Sequence, residues 1–461
     1  MTRILPGLLL LGLLLLVPAS PAAAAPTVGI ADDRVMLGGG PLADEAVAEW
    51  QRLGIEDVRI LAYWRSITPN SSSRSKPTGF DAGNPNDPRY QWYVVDQAVN
   101  RVRSAGMTVT LNLTGPGPLW SSSNPSKRMP QYKPKPAEYA AFVKAAALRY
   151  GTLVDRYVLW NEPNLNKWLA PQSSCKRGRC TPVSPHLYRN LVRPAYSAIK
   201  RNDARSEVVI GALGPRGRTA RTWKSTMHPM LFTRQLGCRS DSFKRIRSGY
   251  CKRFRAASLD GYGVHPYNFR APEVPNPGAD SVSVAQLPNL IRTLDRLKRA
   301  RGLRSSRRID VFVDEYGYQT RPQDPFSGIT TREQNTYLQR AAYHVWRSKR
   351  VRLFTQYLWR DEPNRVNWQS GLRDRRGRAK QSLSYFDTPF AVDASRRKLW
   401  GQVRPGGRWT VTVEQKRGGS WRRLASRGTD SQGYFQISRR ISRGTYYRFR
   451  AGSYVSQAVR G

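Results

Sequence analysis

About a third of the way along the chain stands the stretch VLWNEPN, Val158–Asn164, in which an apolar run rich in strand-forming residues stops at a carboxylate and a proline. Pro163 has no amide proton to donate to a sheet, and it favours an extended conformation at Glu162. The stretch therefore predicts a β-strand from whose end the side chains of Asn161 and Glu162 project.

A second apolar stretch ends in the same way far downstream, where IDVFVDEYG, Ile309–Gly317, carries Glu315. A single glutamate after a strand is usually a solvated loop residue. Two strand-end carboxylates are what glycoside hydrolysis needs, one as acid/base and one as nucleophile or base. The sequence thus predicts that Glu162 and Glu315 form a pair.

Predicted strands alternate with helical patterns along most of the chain. The strands are expected at Gly29–Ile30, Asp57–Trp64, Met107–Leu113, Val158–Glu162, Glu207–Leu213, Leu259–Tyr267, Ile309–Gly317 and Arg352–Trp359. Eight such units predict an α/β fold, a (β/α)8 TIM barrel whose site lies at the carboxyl ends of its strands. An open doubly wound sheet is the alternative, but no glycine-rich nucleotide loop supports it.

The strand-end residues resemble those of the clan A glycoside hydrolases, in particular the cellulase-like families 5 and 39. Their TIM barrels carry the acid/base after the fourth strand and the nucleophile after the seventh. The resemblance covers most of residues 28–386 and implies a retaining hydrolase of O-glycosidic bonds, expected to be β, acting by double displacement. It implies Glu162 as acid/base, Glu315 as nucleophile, and substrate-binding roles for Arg59, Asn161, His265, Tyr267 and Trp359.

Each role has a physical requirement. Glu162 is expected to have a raised pKa so that it can protonate the leaving oxygen. Glu315 should stay ionised, with Arg59 and the Tyr267 hydroxyl stabilising its charge. Asn161 is expected to donate to the sugar 2-hydroxyl.

Simpler interpretations stay open for several of these residues. Arg59 could be a structural strand arginine, His265 a core histidine and Trp359 a core aromatic rather than a sugar platform. Trp120, in the loop after the third strand, is a further candidate for substrate contact. The motif at Asp361-Glu362 mimics the one at the fourth strand, but it lies beyond the eighth strand, where a substrate-binding loop is expected.

The first residues read as a secretory signal peptide, Met1–Ala25, and no later segment is long and apolar enough to cross a bilayer. We expect an extracellular protein, with cell-wall association as an option. Four cysteines in an exported chain imply disulfides, and local pairs, Cys175 with Cys180 and Cys238 with Cys251, are favoured among three connectivities. Neither a metal nor an organic cofactor is expected.

The charge is extreme, with 77 Lys and Arg against 32 Asp and Glu, a formal +45. Spread positive charge attracts polyanions over long distances, so an acidic polysaccharide is one candidate substrate. No nucleic-acid-binding motif accompanies the charge, and specific nucleic-acid binding is not expected. A second hypothesis is a catalytically silent barrel that binds an anionic cell-wall or extracellular polymer. A monomer is expected, although the sequence leaves the oligomeric state open.

The pattern changes after Pro389. Alternating stretches at Trp409–Val413, Tyr434–Ile437 and Tyr446–Phe449 predict short antiparallel strands. We therefore divide the chain into the signal peptide, a barrel domain over residues 26–388 and a small immunoglobulin-like β-sandwich over 389–461. For the last, a spacer and a carbohydrate-binding module are both open.

Overall fold

The computed structural model describes residues 25–461 except 323, 325 and 326, so the predicted signal peptide lies outside the described residues apart from its last residue. Eight parallel strands close into a barrel in chain order, β1 pairing with both β2 and β8. They are β1 Thr27–Ala31, β2 Asp57–Tyr63, β3 Thr108–Thr114, β4 Arg156–Leu159, β5 Glu207–Leu213, β6 Gly261–Val264, β7 Asp310–Tyr316 and β8 Val351–Tyr357. The predicted TIM barrel is confirmed.

Helices surround the barrel and bury their apolar faces on it. Those described span Asp33–Gly38, Gly40–Arg52, Trp64–Ile67, Tyr93–Ser104, Pro136–Tyr150, Ser184–Asn202, Pro229–Leu236, Leu287–Arg299, Thr331–Arg347 and Gln381–Asp387. A capping box begins the helix Thr331–Arg347: the hydroxyl of Thr330 accepts from the Glu333 amide, while the Glu333 carboxylate accepts from the Thr330 amide. None of the described helices is long and apolar enough to cross a membrane.

Three strands end two or three residues earlier than predicted, and this shifts the residues that follow them. β4 ends at Leu159, because Trp160 and Glu162 adopt left-handed backbone angles, with φ of 72° and 38°. β6 ends at Val264, so His265 is the first residue past it. β8 ends at Tyr357, two residues before Trp359.

Both disulfides have the predicted partners. Cys175 and Cys180 pair across a hairpin formed by Ser173–Lys176 and Arg179–Pro182. Cys238 pairs with Cys251 in the long segment between β5 and β6. Each bond closes a short loop at the periphery of the barrel.

Two antiparallel sheets follow the barrel and share one apolar core. One sheet contains Phe390–Asp393, Lys398–Gln402 and Tyr434–Ser438. The other contains Thr410–Arg417, Ser420–Gly428, Tyr446–Ala451, Tyr454–Val455 and Val459–Arg460. This confirms an all-β region after the barrel.

The sheets dock on the barrel through aromatic side chains. The ring of Trp400 lies 5.6 Å from that of Tyr343 and 5.9 Å from that of Trp346, both on the helix Thr331–Arg347. Tyr434 joins the cluster, and its hydroxyl donates to the carbonyl of Pro26, just before β1. Aromatic rings from the barrel and the sheets therefore form much of the interface between them.

Candidate active site

The ends of β4, β6 and β7 bring Glu162, His265 and Glu315 together, so that one ligand atom of each lies within 4.8 Å of the others. His265 Nδ1 lies 3.2 Å from Glu162 Oε1 and 3.4 Å from Glu315 Oε2. The two glutamates are 9% and 7% exposed, so each is sequestered but reachable from the mouth of the barrel. The predicted pair of carboxylates thus faces one small space.

Arg59 projects from β2 beneath this space and is fully buried. Its Nη1 lies 2.9 Å from Glu315 Oε1, its Nη2 donates to Asn161 Oδ1 at 2.7 Å, and its Nε lies 3.5 Å from Asp314. Burial opposes the charge of Arg59, but Glu315 and Asp314 outweigh it and raise its pKa above the usual value. A buried arginine with these partners is a fixed cation that orients the nucleophile candidate.

Tyr267 holds the other oxygen of Glu315, to which its hydroxyl donates at 3.0 Å. Burial, followed by the charge of Glu315, raises the pKa of Tyr267 well above its usual value, so the phenol stays protonated and remains a donor. With Arg59 on Oε1 and Tyr267 on Oε2, both oxygens of Glu315 are fixed in position. This geometry stabilises the anion and aims it.

His265 connects three carboxylates rather than filling the core. Besides its contacts with the two glutamates, its Nε2 lies 3.4 Å from Asp314 Oδ2. Burial lowers the pKa of His265, but Glu315 and Asp314 act in the opposite direction and raise it to about 10. Burial raises the pKa of Asp314, but the contact with His265, followed by that with Arg59, outweighs burial and lowers it. The imidazole is thus a second buried cation at neutral pH.

The pKa of Glu162 differs from the expectation drawn from the sequence. Burial raises it, but the hydrogen bond and the positive charge of His265 outweigh burial and hold it below the usual value. Glu162 Oε2 also accepts from Trp168 Nε1 at 3.1 Å. In the free protein the proton shared by this pair therefore lies on His265, 3.2 Å from the oxygen that would use it.

Asn161 is also in place beside the carboxylates. Because its Oδ1 accepts from Arg59, its Nδ2 is left as a donor. This is the orientation that the predicted bond to a sugar hydroxyl requires.

Further aromatic side chains line the mouth of the barrel. Trp168 stacks on Tyr63 with ring centroids 6.3 Å apart. On the other side, Trp368 lies 4.8 Å from Tyr267 and 5.5 Å from Tyr357. All these rings except Tyr267 are half-buried, as expected of surfaces on which a sugar can stack.

Two predicted substrate contacts lie elsewhere. Trp359 is 2% exposed, and its ring meets the edge of Trp50 at 6.2 Å in the layer between strands and helices. Because β8 ends early, Tyr357 occupies the position at the strand end that Trp359 was expected to hold. Trp120 is 1% exposed and donates to the carbonyl of Pro69. Both tryptophans therefore belong to the core and not to the mouth, where they were predicted to lie.

The residues Asp361 and Glu362 beyond β8 do not form a second acid pair. Asp361 is buried, pairs with Lys380 at 2.8 Å and accepts from the amide of Gly371. Glu362 is half-buried, and its charge contributes to the raised pKa of Tyr357. As expected, this segment forms a loop at the mouth.

Neither group of potential metal ligands among the described residues has the chemistry of a metal site. In the group of Glu162, His265 and Glu315, both ring nitrogens of His265 face carboxylate oxygens. Glu315 and Asp314 outweigh burial and raise the pKa of His265 to about 10, so at neutral pH the ring has no lone pair to offer. In the second group, His186 lies beside Cys238 and Cys251, whose sulfurs are joined to each other.

No model of a known protein family matches the chain, and no curated protein matches its sequence. Solved structures do match, among them the beta-glycosidase BGL167, with a TM-score of 0.48, 15% identity and coverage of 80% of this chain and 96% of that one. A glucosidase from Croceicoccus marinus matches with a TM-score of 0.49 and 11% identity, over 90% of this chain and 92% of that one. A GH10 endoxylanase retrieved from a sugarcane soil metagenome matches with a TM-score of 0.47 and 13% identity, over 78% of this chain and 96% of that one.

The chain is similar in its overall fold to these glycosidases. At such identities the likeness concerns the fold alone, and neither an activity nor a substrate follows from it.

Asp33, just after β1, is a further carboxylate of the site that the sequence analysis missed. It is half-buried, and its Oδ1 accepts from the Leu61 amide at 2.6 Å. Loss of contact with bulk water raises the pKa of Asp33 to about 7; Glu315 adds to this effect, and Arg59 opposes it. Asp33 therefore brings a carboxyl group that is protonated below neutral pH close to Glu315.

Replacing Asp33 by asparagine should change how stability depends on pH. Between about pH 4 and pH 7 the folded protein holds a proton on Asp33 that the unfolded chain has lost. The contribution of this proton to the free energy of unfolding is therefore complete below about pH 4 and disappears as pH rises through about 7. We expect the free energy of unfolding of Asp33→Asn, measured with urea from pH 4 to 7, to fall less steeply than that of the unaltered protein. Equal slopes would contradict the raised pKa.

Proposed function

We propose that the chain is a secreted retaining glycoside hydrolase in which Glu162 is the acid/base and Glu315 the nucleophile. The observation that carries this proposal is the separation of at most 4.8 Å between oxygens of the two carboxyl groups, beside a buried Arg59. Carboxyl groups about 5 to 5.5 Å apart are typical of retaining enzymes, whereas inverting enzymes keep them about 6.5 to 9.5 Å apart to admit a water molecule.

In the first step, Glu315 attacks the anomeric carbon while the bond from that carbon to the leaving oxygen breaks. Glu162 delivers a proton to this oxygen. Since the pKa of Glu162 is lowered by the imidazolium, the proton comes from the Nδ1–H of His265 through Glu162 as negative charge develops on the oxygen. Asn161 and Tyr267 stabilise the oxocarbenium-like transition state by hydrogen bonds that keep the sugar and Glu315 aligned.

In the second step, Glu162 takes a proton from water and returns it to Nδ1 of His265, which restores the resting state. The water oxygen attacks the anomeric carbon, and the bond to Glu315 breaks. Arg59 and Tyr267 then receive the restored Glu315 anion at the same two oxygens as before. The sugar leaves with its original anomeric configuration.

The role of Glu162 can be tested with aryl β-glycosides that differ in their leaving group. Glu162→Gln should hydrolyse 2,4-dinitrophenyl glycosides with a kcat/KM within about tenfold of that of the unaltered protein, because kcat/KM reports only the first step and this leaving group needs no proton, but its kcat/KM should fall about 10³-fold or more with unactivated phenols. Rates of phenol release give the comparison, with Glu414→Gln in the distant C-terminal sheet as control. Losses that do not depend on the leaving group would exclude Glu162 as the acid.

The location of the protein is also part of the proposal. Two disulfides agree with an oxidising compartment outside the cytoplasm. The aromatic mouth and the carboxylate pair support a carbohydrate as the substrate. A catalytically silent barrel that binds an anionic polymer would release no phenol from any of these glycosides.

A further inference from the structure

Three loops surround the side of the mouth on which Glu162 lies. They follow β3, β4 and β5 and cover residues 115–135, 163–183 and 214–228. Each loop contains four Lys or Arg residues, and none of the three contains an Asp or a Glu. Local charge of one sign is therefore concentrated beside the acid/base candidate.

The three loops form one continuous rim. The Lys133 amide donates to the Ala170 carbonyl at 2.7 Å and so joins the first loop to the second. The Gln172 amide donates to the Trp223 carbonyl at 2.8 Å and joins the second loop to the third. Backbone bonds thus fix the relative positions of side chains that are far apart in sequence.

This basic rim, as we call the three loops, presents half-buried aromatic rings, each with an ammonium group beside it. Tyr132 and Trp223 meet edge to face at 6.2 Å, and Trp168 continues the row to Glu162 through its hydrogen bond. The ammonium groups lie 5.1 Å (Lys127) and 5.6 Å (Lys133) from the ring of Tyr132, 5.2 Å (Lys224) from that of Trp223 and 5.3 Å (Lys167) from that of Trp168. The rim thus repeats one pair of groups: an aromatic ring, on which a sugar can stack, and an ammonium group, which can pair with a carboxylate.

The side of the mouth next to Glu315 has the opposite character. Glu362 is half-buried there. Its amide donates to the carbonyl of Trp368 at 3.0 Å, and the ring of Trp368 lies 4.8 Å from that of Tyr267, whose hydroxyl holds Glu315. Asp33 is half-buried as well and adds a negative charge above about pH 7. The cations of the site, Arg59 in particular, are buried and already paired. An anionic sugar in contact with Glu315 would meet the carboxylates of Glu315 and Glu362 and, above about pH 7, that of Asp33.

We propose that the basic rim binds carboxylated sugar residues of the leaving group, whereas the sugar attacked by Glu315 carries no negative charge. The inference rests on the proposed function, because the acid/base must lie beside the leaving oxygen and the rim contacts it through Trp168. The substrate is then a polysaccharide in which an uncharged or amino sugar precedes a uronate. Hydrolysis leaves the uncharged sugar at the new reducing end.

The test compares a triple variant, Lys127→Gln, Lys133→Gln and Lys224→Gln, with a control of equal charge change, Lys416→Gln, Arg422→Gln and Arg427→Gln. The control residues are exposed on the C-terminal sheets. Hyaluronan, in native and in carboxyl-reduced form, is digested, and new chain ends are identified by mass spectrometry. Binding of a fluorescent tetrauronate to the Glu162→Gln variant, alone and combined with each triple set, is measured by anisotropy.

We expect a native polymer to be cut at higher kcat/KM than its reduced form, with an uncharged sugar at the new reducing end. The rim variant should lower this preference and weaken tetrauronate binding by about tenfold, an effect that salt diminishes, while the control stays within about twofold. Equal binding by the two variants, or uronate at the new reducing end, would overturn the inference while leaving a hydrolase. Failure to cut any polymer or aryl glycoside would instead overturn the proposed function.

Discussion

Replacing Glu315 by alanine is expected to lower the turnover of an aryl β-glycoside by about 10⁵-fold, the largest effect of any single substitution in the barrel. The variant lacks the atom that forms the covalent intermediate, and the 2-hydroxyl contact and Glu162 cannot replace it. Phenol release by the purified variant gives the rate. Glu414→Ala, in the C-terminal sheet, controls for traces of unaltered enzyme.

Adding azide to the two alanine variants distinguishes the nucleophile from the acid/base, because each variant should form a different glycosyl azide. In Glu315→Ala the anion can enter the space left by the side chain and attack from the same face, which gives an α-glycosyl azide. In Glu162→Ala it attacks the covalent intermediate from the opposite side and gives a β-glycosyl azide. If the two variants exchanged these products, the roles of Glu162 and Glu315 would have to be exchanged as well.

The second large effect is expected on stability. Arg59→Met should lower the free energy of unfolding at pH 7 by about 3 to 5 kcal/mol, because it removes one of the two buried cations beside Asp314 and Glu315 and leaves these two buried carboxylates with His265 alone. The cavity changes little, since methionine fills most of the volume of the arginine stem. The loss is therefore electrostatic in origin.

Urea unfolding at two pH values separates this origin from packing. At pH 4 the unpaired carboxylates can take up protons, so the loss caused by Arg59→Met should be smaller than at pH 7. Arg59→Lys, which keeps a charge but cannot reach Asn161, Asp314 and Glu315 together, should lie between the two proteins. An equal loss at both pH values would show that packing, not charge, is what Arg59 contributes.

Much of the site could be predicted because its residues interrupt regular patterns. Glu162 and Glu315 end apolar strands, and Arg59 stands inside one, where an unpaired charge is too costly to be accidental. Asn161, His265 and Tyr267 are near strand ends as well. In a parallel barrel all strand ends meet at one face, so the order of strands was enough to place these side chains together.

The remaining site residues lack such a pattern. Trp168 and Trp368 belong to irregular loops, whose conformation periodicity does not describe. The family resemblance assigned Trp359 to the mouth as the tryptophan at the end of the eighth strand, yet pairing stops at Tyr357. Because β8 ends two residues earlier than predicted, Tyr357 lines the cleft and Trp359 lies in the core.

The pKa of Glu162 depends on neighbours that are distant in sequence. The sequence suggested burial, which raises the pKa, but the protonated state of His265 is set by Asp314 and Glu315, on another strand. Only the three-dimensional arrangement of these four groups decides on which of them the proton lies.

The closure of the barrel has a consequence for biogenesis. β1 lies between β2 and β8, and the carbonyl before it accepts from Tyr434, so the first strand to emerge from the ribosome finds its second neighbour only after some 320 further residues have been made. Until then the nascent sheet has two open edges, which are prone to pair with other chains. A chain that is threaded unfolded through an export channel and folds on the far side has both ends available at once, and its slowest step should be the long-range meeting of β1 with β8.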